Sequence, residues 1–257
     1  MAVQGGAGHF VALDGVCMLI GRSDGVVPEH AHYAIQVAFC SERGVGFRPG
    51  SKDAWTEYDG AIIRSRQPHT MDATRARAVA VIFVEPETRE GRALNERYLD
   101  TGIAPLPPAL IAELRGELFA AWDDRNATAV NSAMRRTIDL LTGGVQPSVV
   151  ADERILRAVA FIKAHLDRPL TLDAVAEEAC LSPSRFRHLF VEQTGMAMRP
   201  YILWRRFLLV WELLAKGESL SYAAHSAGFS DAAHLSRTSR NVFGFPPSAL
   251  QMEAPMR

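Results

Sequence analysis

Two textures of hydrophobic spacing divide the chain. From His9 to about Glu85, short apolar runs (FVAL, VCMLIG, AIQVAFC, GAIIRS, AVAVIFVE) alternate with clusters of Gly, Pro, Asp and Ser. Short strands punctuated by turn formers predict an antiparallel barrel or sandwich. From Glu87 to about Gly144 the period lengthens. Leu110, Ile111, Leu114, Leu118 and Phe119 recur at helical spacing behind Pro105, Pro107 and Pro108. Val130, Met134, Ile138 and Leu141 define a second helix from Asn126, stopped by Gly143 and Gly144. Amphipathicity by itself marks only a buried face, so these helices cover either the barrel or a second copy. Residues 143–151 read as a linker. Asp152 then opens a helix whose inner face is Ile155, Val159 and Ile162, and Pro169 ends it.

The remaining pattern is written twice, about 48 residues apart. In the first copy Thr171 caps a helix with Leu172, Val175 and Ala176 inward. Cys180 and Leu181 turn the chain, and Ser182-Pro183 starts the next helix. Phe186, Leu189 and Phe190 form its buried stripe, leaving Ser184, Arg185, Arg187 and His188 outward. In the second copy Leu220, Ala223 and Ala224 point inward, Gly228-Phe229 turns, and Ser230-Asp231 caps. Leu235, Thr238 and Val242 are the expected inner side, with Ala232, Ala233, His234 and Arg237 outward. Gly244, Pro246 and Pro247 end it. Two helix-turn-helix units in tandem are the expectation.

Composition refines this picture little. A chain of 257 residues is comfortable for two cores. With 48% hydrophobic and 22% charged residues it reads as a soluble globular protein. The net charge of -1 gives no global basic excess. Between Ser182 and Arg240, however, eight Lys/Arg stand against four Asp/Glu. A local patch suffices for phosphate contacts, which act over about a Debye length. Cys17, Cys40 and Cys180 show neither metal spacing nor a disulfide framework, which fits a reducing compartment. No signal peptide or spanning segment is expected, and a cytoplasmic location follows.

The stretch from Ile155 to Leu250 resembles the DNA-binding domain of the AraC/XylS family. The residues that carry the resemblance are LSPSRFRHLF at 181–190, Gly195, Arg206, AGFSD at 227–231, HLSR at 234–237 and FGFPPSAL at 243–250. The family fold is two helix-turn-helix subdomains on one long connecting helix, with recognition helices at about 183–193 and 231–243. The resemblance assigns base reading to Ser184, Arg187 and His188 in the first unit and to Ala232, Ala233, His234 and Arg237 in the second. Arg187 and Arg237 stand out, since Arg can donate twice to guanine. Arg185, Arg199 and Arg240 are expected at phosphates. Ser239 stands where relatives usually carry an aromatic, and Ala223 where they carry a larger aliphatic, which predicts a thinner second core or one refilled by Phe243 and Phe245.

Upstream, PEHAHYAIQ followed by RQPH resembles the cupin-like ligand-sensing domain of the same family, over roughly residues 9–86. His30 and His32 point the same way off a strand, and His69 follows on a later one. In metal-using cupins such histidines ligate a metal with an acid nearby, but Gln36 holds the acid position here. Three roles stay open for these residues: contact with a small ligand (His30, His32, Gln36, Trp55, His69), metal ligation (His30, His32, His69) and structural hydrogen bonding. Tyr33, Phe47 and Tyr58 join Trp55 as candidate lining of an apolar pocket. Cys17 and Cys40 are candidates for a redox or soft-metal sensor.

The expected architecture is two-domain α+β: a cupin-like antiparallel β-barrel (1–86), a helical region (87–144) that by resemblance serves dimerisation, and an all-α DNA-binding domain (145–257). The expected function is a DNA-binding transcription regulator, not an enzyme. No cofactor is expected beyond the metal option. Its partners would be double-stranded DNA, a second copy, a small-molecule effector and RNA polymerase, with no membrane. The rivals are a cupin metalloenzyme with a helical appendage and a ligand-independent regulator controlled by a protein partner.

Overall fold

The computed structural model describes residues 6–13, 15–22, 25–42, 44–86, 88–144, 152–253 and 256. The N-terminal half builds two sheets. Its strands are β1 (Gly6–Leu13), β2 (Val16–Gly21), β3 (Val26–His30), β4 (Ile35–Cys40), β5 (Val45–Arg48), β6 (Thr56–Tyr58), β7 (Gly60–Ile63), β8 (His69–Asp72) and β9 (Val79–Val84). Helix α1 (Arg89–Tyr98), strand β10 (Ile103–Pro105) and helices α2 (Pro108–Asp123) and α3 (Ala127–Thr142) follow. The C-terminal half runs α4 (Glu153–Ala164), α5 (Leu172–Glu178), α6 (Pro183–Thr194), α7 (Met198–Ala215), α8 (Leu220–Ser226) and α9 (Ala232–Phe243). After a 3-10 turn at Pro247–Ala249, β11 (Leu250–Met252) ends it.

The larger sheet has the order β10-β7-β4-β9-β2-β1-β11, and the smaller β3-β8-β5-β6. The expected closed barrel is therefore two sheets that share no ladder among the described residues. The reason lies at the edges of the larger sheet. β10 pairs with β7 on one side and β11 runs parallel to β1 on the other, so both hydrogen-bonding edges are taken by segments from outside residues 9–86.

The larger sheet is buried on both faces, which explains why its strands read as unbroken apolar runs. Along β4 and β9, Val37, Phe39, Ala80, Ile82 and Val84 pack under α1, α2 and α3 with Leu114, Leu118, Met134 and Ile138. The alternate residues Ala38, Cys40, Val79, Val81 and Phe83 face Phe47 and Met71 of the smaller sheet. Their cluster continues into Trp204, Phe207, Trp211 and Phe243 of the C-terminal half. The apolar stripes of α2 and α3 thus cover the sheet. On their outer side Arg136 pairs with Glu113 and Glu117. The linker reading of 143–151 falls outside the described residues from 145 onward.

The tandem units form as their local chemistry dictates. Thr171, Ser182, Ser219 and Asp231 cap α5, α6, α8 and α9, accepting from the backbone N–H of Ala174, Arg185, Tyr222 and His234. Gly195 and Gly244 end α6 and α9 in the left-handed region. Two face assignments need correction. The buried stripe of α9 is Leu235, Ser239 and Phe243, while Thr238 and Val242 are only half-buried. In α4, Ala158 takes the place expected for Val159. On α9 the shift goes with its lying against β3. Buried Ser239 is satisfied, its Oγ donating to Phe245 O at 2.7 Å, and the second core is filled by Phe243 together with the sheet.

Polar links join the halves, among them an ion pair of Arg125 with Glu253 at 3.0 Å. Glu85, just beyond β9, accepts from Trp204 Nε1 at 2.9 Å and from Arg205 Nη2 at 3.2 Å. Tyr33 donates to Gly195 O at 2.9 Å. No helix of the described residues is long and apolar enough to cross a membrane.

The turn of each unit places one residue in the left-handed region, Cys180 at φ 53° and Gly228 at φ 73°. A methyl at Gly228 would lie 2.1 Å from Leu166 O, a carbonyl already accepting from Arg206 Nε at 3.1 Å. Gly228→Ala is expected to destabilise the chain by roughly 2–3 kcal/mol. Cys180→Gly relieves a strained non-glycine and is expected to stabilise by about 0.5–1 kcal/mol. Denaturant midpoints measure both; equal signs would show that the two turns are not equivalent.

Candidate functional site

The first feature is the outward face of α6 and α9. Ser182 and Pro183 set the register of α6, and the burial of Phe186, Leu189 and Phe190 forces Ser184, Arg185, Arg187 and His188 into solvent. On α9 the burial of Leu235, Ser239 and Phe243 leaves Ala233, Arg237 and Arg240 exposed, with Ala232 and His234 half-buried. His234 is engaged locally. Its Nδ1 lies 3.2 Å from Ser230 Oγ, and its ring stands edge-on to Phe229 at 5.5 Å. The Asp231 carboxyl, which caps α9, is held below the usual carboxylate range first by the backbone N–H of His234. Arg199 is exposed near the start of α7. Arg206 does not join this face. Its guanidinium donates to Leu166 O and, at 3.0 Å, to Arg168 O, bracing α7 against the loop before α5.

The second feature is a cavity between the larger sheet and the C-terminal segment. About 840 Å³ of atom-free space lies in this cleft, open solvent at its mouth included. Val81, Phe83 and Met71 line it from the sheets, and Phe243, Phe245 and Leu250 from the other half. His30 and Gln36 supply polar atoms to this apolar wall, and exposed Arg22 stands at its rim. Trp55 lies elsewhere: it is 43% exposed, with Arg48 stacked on its ring at 4.7 Å. It precedes β6, the outer strand of the smaller sheet, and that position keeps it out of the cavity. Tyr33 sits at the contact with Gly195, and Phe47 is core beside His69.

His30 and His69 meet because β3 and β8 pair with those two residues in register; His32 follows just after β3. The rings of His30 and His69 lie 4.3 Å apart, and those of His32 and His69 5.2 Å. One ring nitrogen from each lies within 4.8 Å of the others. In all three rings Nδ1 lies 2.8 Å from a backbone carbonyl, of Pro28, Ala34 and Gln67 respectively. A carbonyl only accepts, so in His30 and His69 Nδ1 carries the proton and Nε2 the lone pair, whereas His32 also faces Gln36 Oε1 through Nε2 at 2.7 Å. Burial, more than any neighbour, pushes His30 down to about 3 and His69 to about 2, and lowers His32 as well. At neutral pH the trio is uncharged.

The cysteines offer no redox pair. Cys17 is opposite Phe83 and Cys40 opposite Val79, on the two sides of β9. They are about 13 Å apart along the strand direction alone, far beyond disulfide reach. Burial pushes both thiols upward, Cys40 to about 12.

Sequence reasoning missed Phe243, Phe245 and Leu250 as cavity walls and Glu85 as a link. A single acid closing the run AVAVIFVE was the one available signal for Glu85; nothing local announces the others.

A helix-turn-helix domain family matches residues 175–253. The multiple antibiotic resistance protein MarA of Escherichia coli is 30% identical over 93 residues, 36% of this chain and 73% of MarA. The regulatory protein PocR of Salmonella typhimurium is 28% identical over 103 residues, 40% of this chain. The match spans only 34% of PocR, so the chain covers about a third of that relative. The unsaturated fatty acid-bound structure of ToxT from Vibrio cholerae superposes with a TM-score of 0.55 at 12% identity, covering 93% of each chain. That likeness extends the shared fold across both halves. With its tandem capped units, its outward arginines and its identity to MarA over most of that protein, the chain belongs to the AraC/XylS family of helix-turn-helix transcription regulators.

Proposed function

We propose that this chain binds double-stranded DNA through α6 and α9, and that a small molecule with an apolar body in the cavity sets how α9 is held. One observation carries the second part: the cavity has walls from both halves. A ligand filling it touches the sensor sheet and the end of α9 at once. Its contact energy then differs between arrangements of the two halves, which is the requirement for coupling. The apolar walls, with His30 and Gln36 inside and Arg22 at the rim, suit an amphipathic acid. ToxT, crystallised with an unsaturated fatty acid, shares this fold.

The connecting helix α7 has 18 residues, about 27 Å at 1.5 Å per residue. That length supports two recognition helices in successive major grooves, about 34 Å apart. Arg187 and Arg237 would read bases with Ser184 and His188, while Ala232 and Ala233 reach at most a thymine methyl. His234, tied to Ser230, would position α9 more than read. Arg185, Arg199 and Arg240 would contact phosphates. The output is altered engagement of DNA or of RNA polymerase in the cytoplasm. A homodimer would use the charged outer faces of α2 and α3 or another surface, since their apolar stripes lie on the sheet. The reading as a regulator rather than a metalloenzyme rests on family membership.

Arg187→Ala is expected to weaken binding to the protein's own promoter region by about 1–3 kcal/mol and to relax preference at one base pair. Arg185→Ala should weaken all sequences alike and flatten the salt dependence by about one phosphate. Quantitative gel shifts on randomised sites measure both; unchanged preference in Arg187→Ala removes it as a reader. For the cavity, long-chain unsaturated fatty acids are the first probes. A saturating match at about 100 times its Kd should stabilise the native chain by about 2.7 kcal/mol. A thermal-shift panel of amphipathic acids that leaves the unfolding midpoint unmoved would favour control by a protein partner.

A further inference from the structure

We propose that His30, His32 and His69 bind one divalent transition-metal ion of the zinc, cobalt and copper class, at the junction of the smaller sheet and the end of α9. This inference stands apart from the effector reading above.

The donor set points to that class. Three imidazoles come together with no carboxylate among the described residues of the cluster. Nitrogen donors suit zinc, cobalt, nickel and copper, whereas calcium and magnesium require oxygen. Two of the rings are already oriented as ligands. In His30 and His69 Nδ1–H donates to a backbone carbonyl, which fixes the tautomer and leaves the Nε2 lone pair for coordination, the arrangement typical of metal-bound histidine.

His69 supplies an independent sign. It is fully buried, and its Nε2 has no hydrogen-bond partner among the described residues. Leaving a buried acceptor unmet is unfavourable, and an ion would satisfy it. A structural hydrogen-bond network would instead have placed a donor there. His32 shows a related tension. Its Nδ1 faces Ala34 O at 2.8 Å and its Nε2 faces Gln36 Oε1 at 2.7 Å, yet a neutral ring has one proton for two oxygens. A cation at Nε2 resolves this, and so does a half-turn of the Gln36 amide that presents its NH2 to the ring.

The dimensions are compatible. Tetrahedral bonds of about 2.1 Å set nitrogens about 3.4 Å apart. The observed separations, none above 4.8 Å, therefore need to close by at most about 1.4 Å, within reach of small ring rotations. Gln36 and His30 line the cavity, so a remaining coordination position opens toward it. On the other side Gly244 ends α9 against the same residues: a Cβ there would lie 3.0 Å from His30 Nδ1 and 2.9 Å from Pro28 O. An ion that fixes His30 thereby fixes the surface on which α9 ends.

The test uses the untagged, full-length chain, stripped with chelator and titrated with Co²⁺. One Co²⁺ per chain is expected, with visible absorption of a four- or five-coordinate site and displacement by Zn²⁺. His69→Ala should weaken binding at least about 100-fold. Gln36→Glu, which sets an anionic oxygen beside His32, should tighten it at least about tenfold; this variant decides the matter if His69→Ala fails to fold. No saturable Co²⁺ binding by the folded chain overturns the proposal, as does binding that neither variant alters. Gel shifts and fatty-acid thermal shifts on the metal-free chain are read separately, so failure here leaves the DNA and effector readings to their own outcomes.

Discussion

Phe243 is the last residue of α9 and also packs in the core against the larger sheet. Its ring lies 4.9 Å from Phe207, 5.9 Å from Phe83, 6.0 Å from Trp211 and 6.4 Å from Trp204. Edge-to-face and tilted contacts among such rings bury large areas with defined geometry. Because Phe83 comes from β9 and the tryptophans from α7, the cluster has no boundary between the two halves. The end of α9 cannot leave the sheet without exposing aromatic surface. The contact has the character of an interior and differs from the polar, weakly held surfaces common between domains.

Two further links follow the same path. Glu85 receives Trp204 and Arg205 in a setting where the side chains keep only 6% and 15% exposure. A buried pair of this kind is weak evidence for net stability, but removing one partner strands the other. It therefore specifies one docking of α7 on the sheet. The second link is β11, which adds residues 250–252 as a parallel strand on β1. The segment that ends the C-terminal half is thus an edge of the larger sheet and a wall of the cavity. Side chains that hold the end of α9 also line the cavity.

The helix-turn-helix half was legible in the sequence in detail. Thr171, Ser182 and Asp231 cap the helices expected of them, and Gly195 and Gly244 stop theirs, because capping depends on a few neighbouring residues. The N-terminal half was legible only as strands. Its alternation did not reveal a sheet covered on both faces, since a strand buried twice has no polar side to show. Nor did it reveal that β10 and β11 would occupy the edges and leave two sheets in place of a closed barrel. Trp55 illustrates the limit. An aromatic between strands reads as lining or as surface alike, and only its place before an outer strand decided for the surface.

What the sequence determined by itself was local: the tandem units, their caps and turns, and which arginines face away from a helix core. Those features depend on spacings of three to eight residues, where backbone geometry dictates side-chain direction. What only the tertiary structure decided was long-range. His69 meets His30 through strand pairing, Glu85 meets Arg205 120 residues later, and Phe243 meets Phe83 across the halves. No local period encodes such meetings. They follow from the burial of apolar faces on one another, and that burial is settled when the whole chain packs.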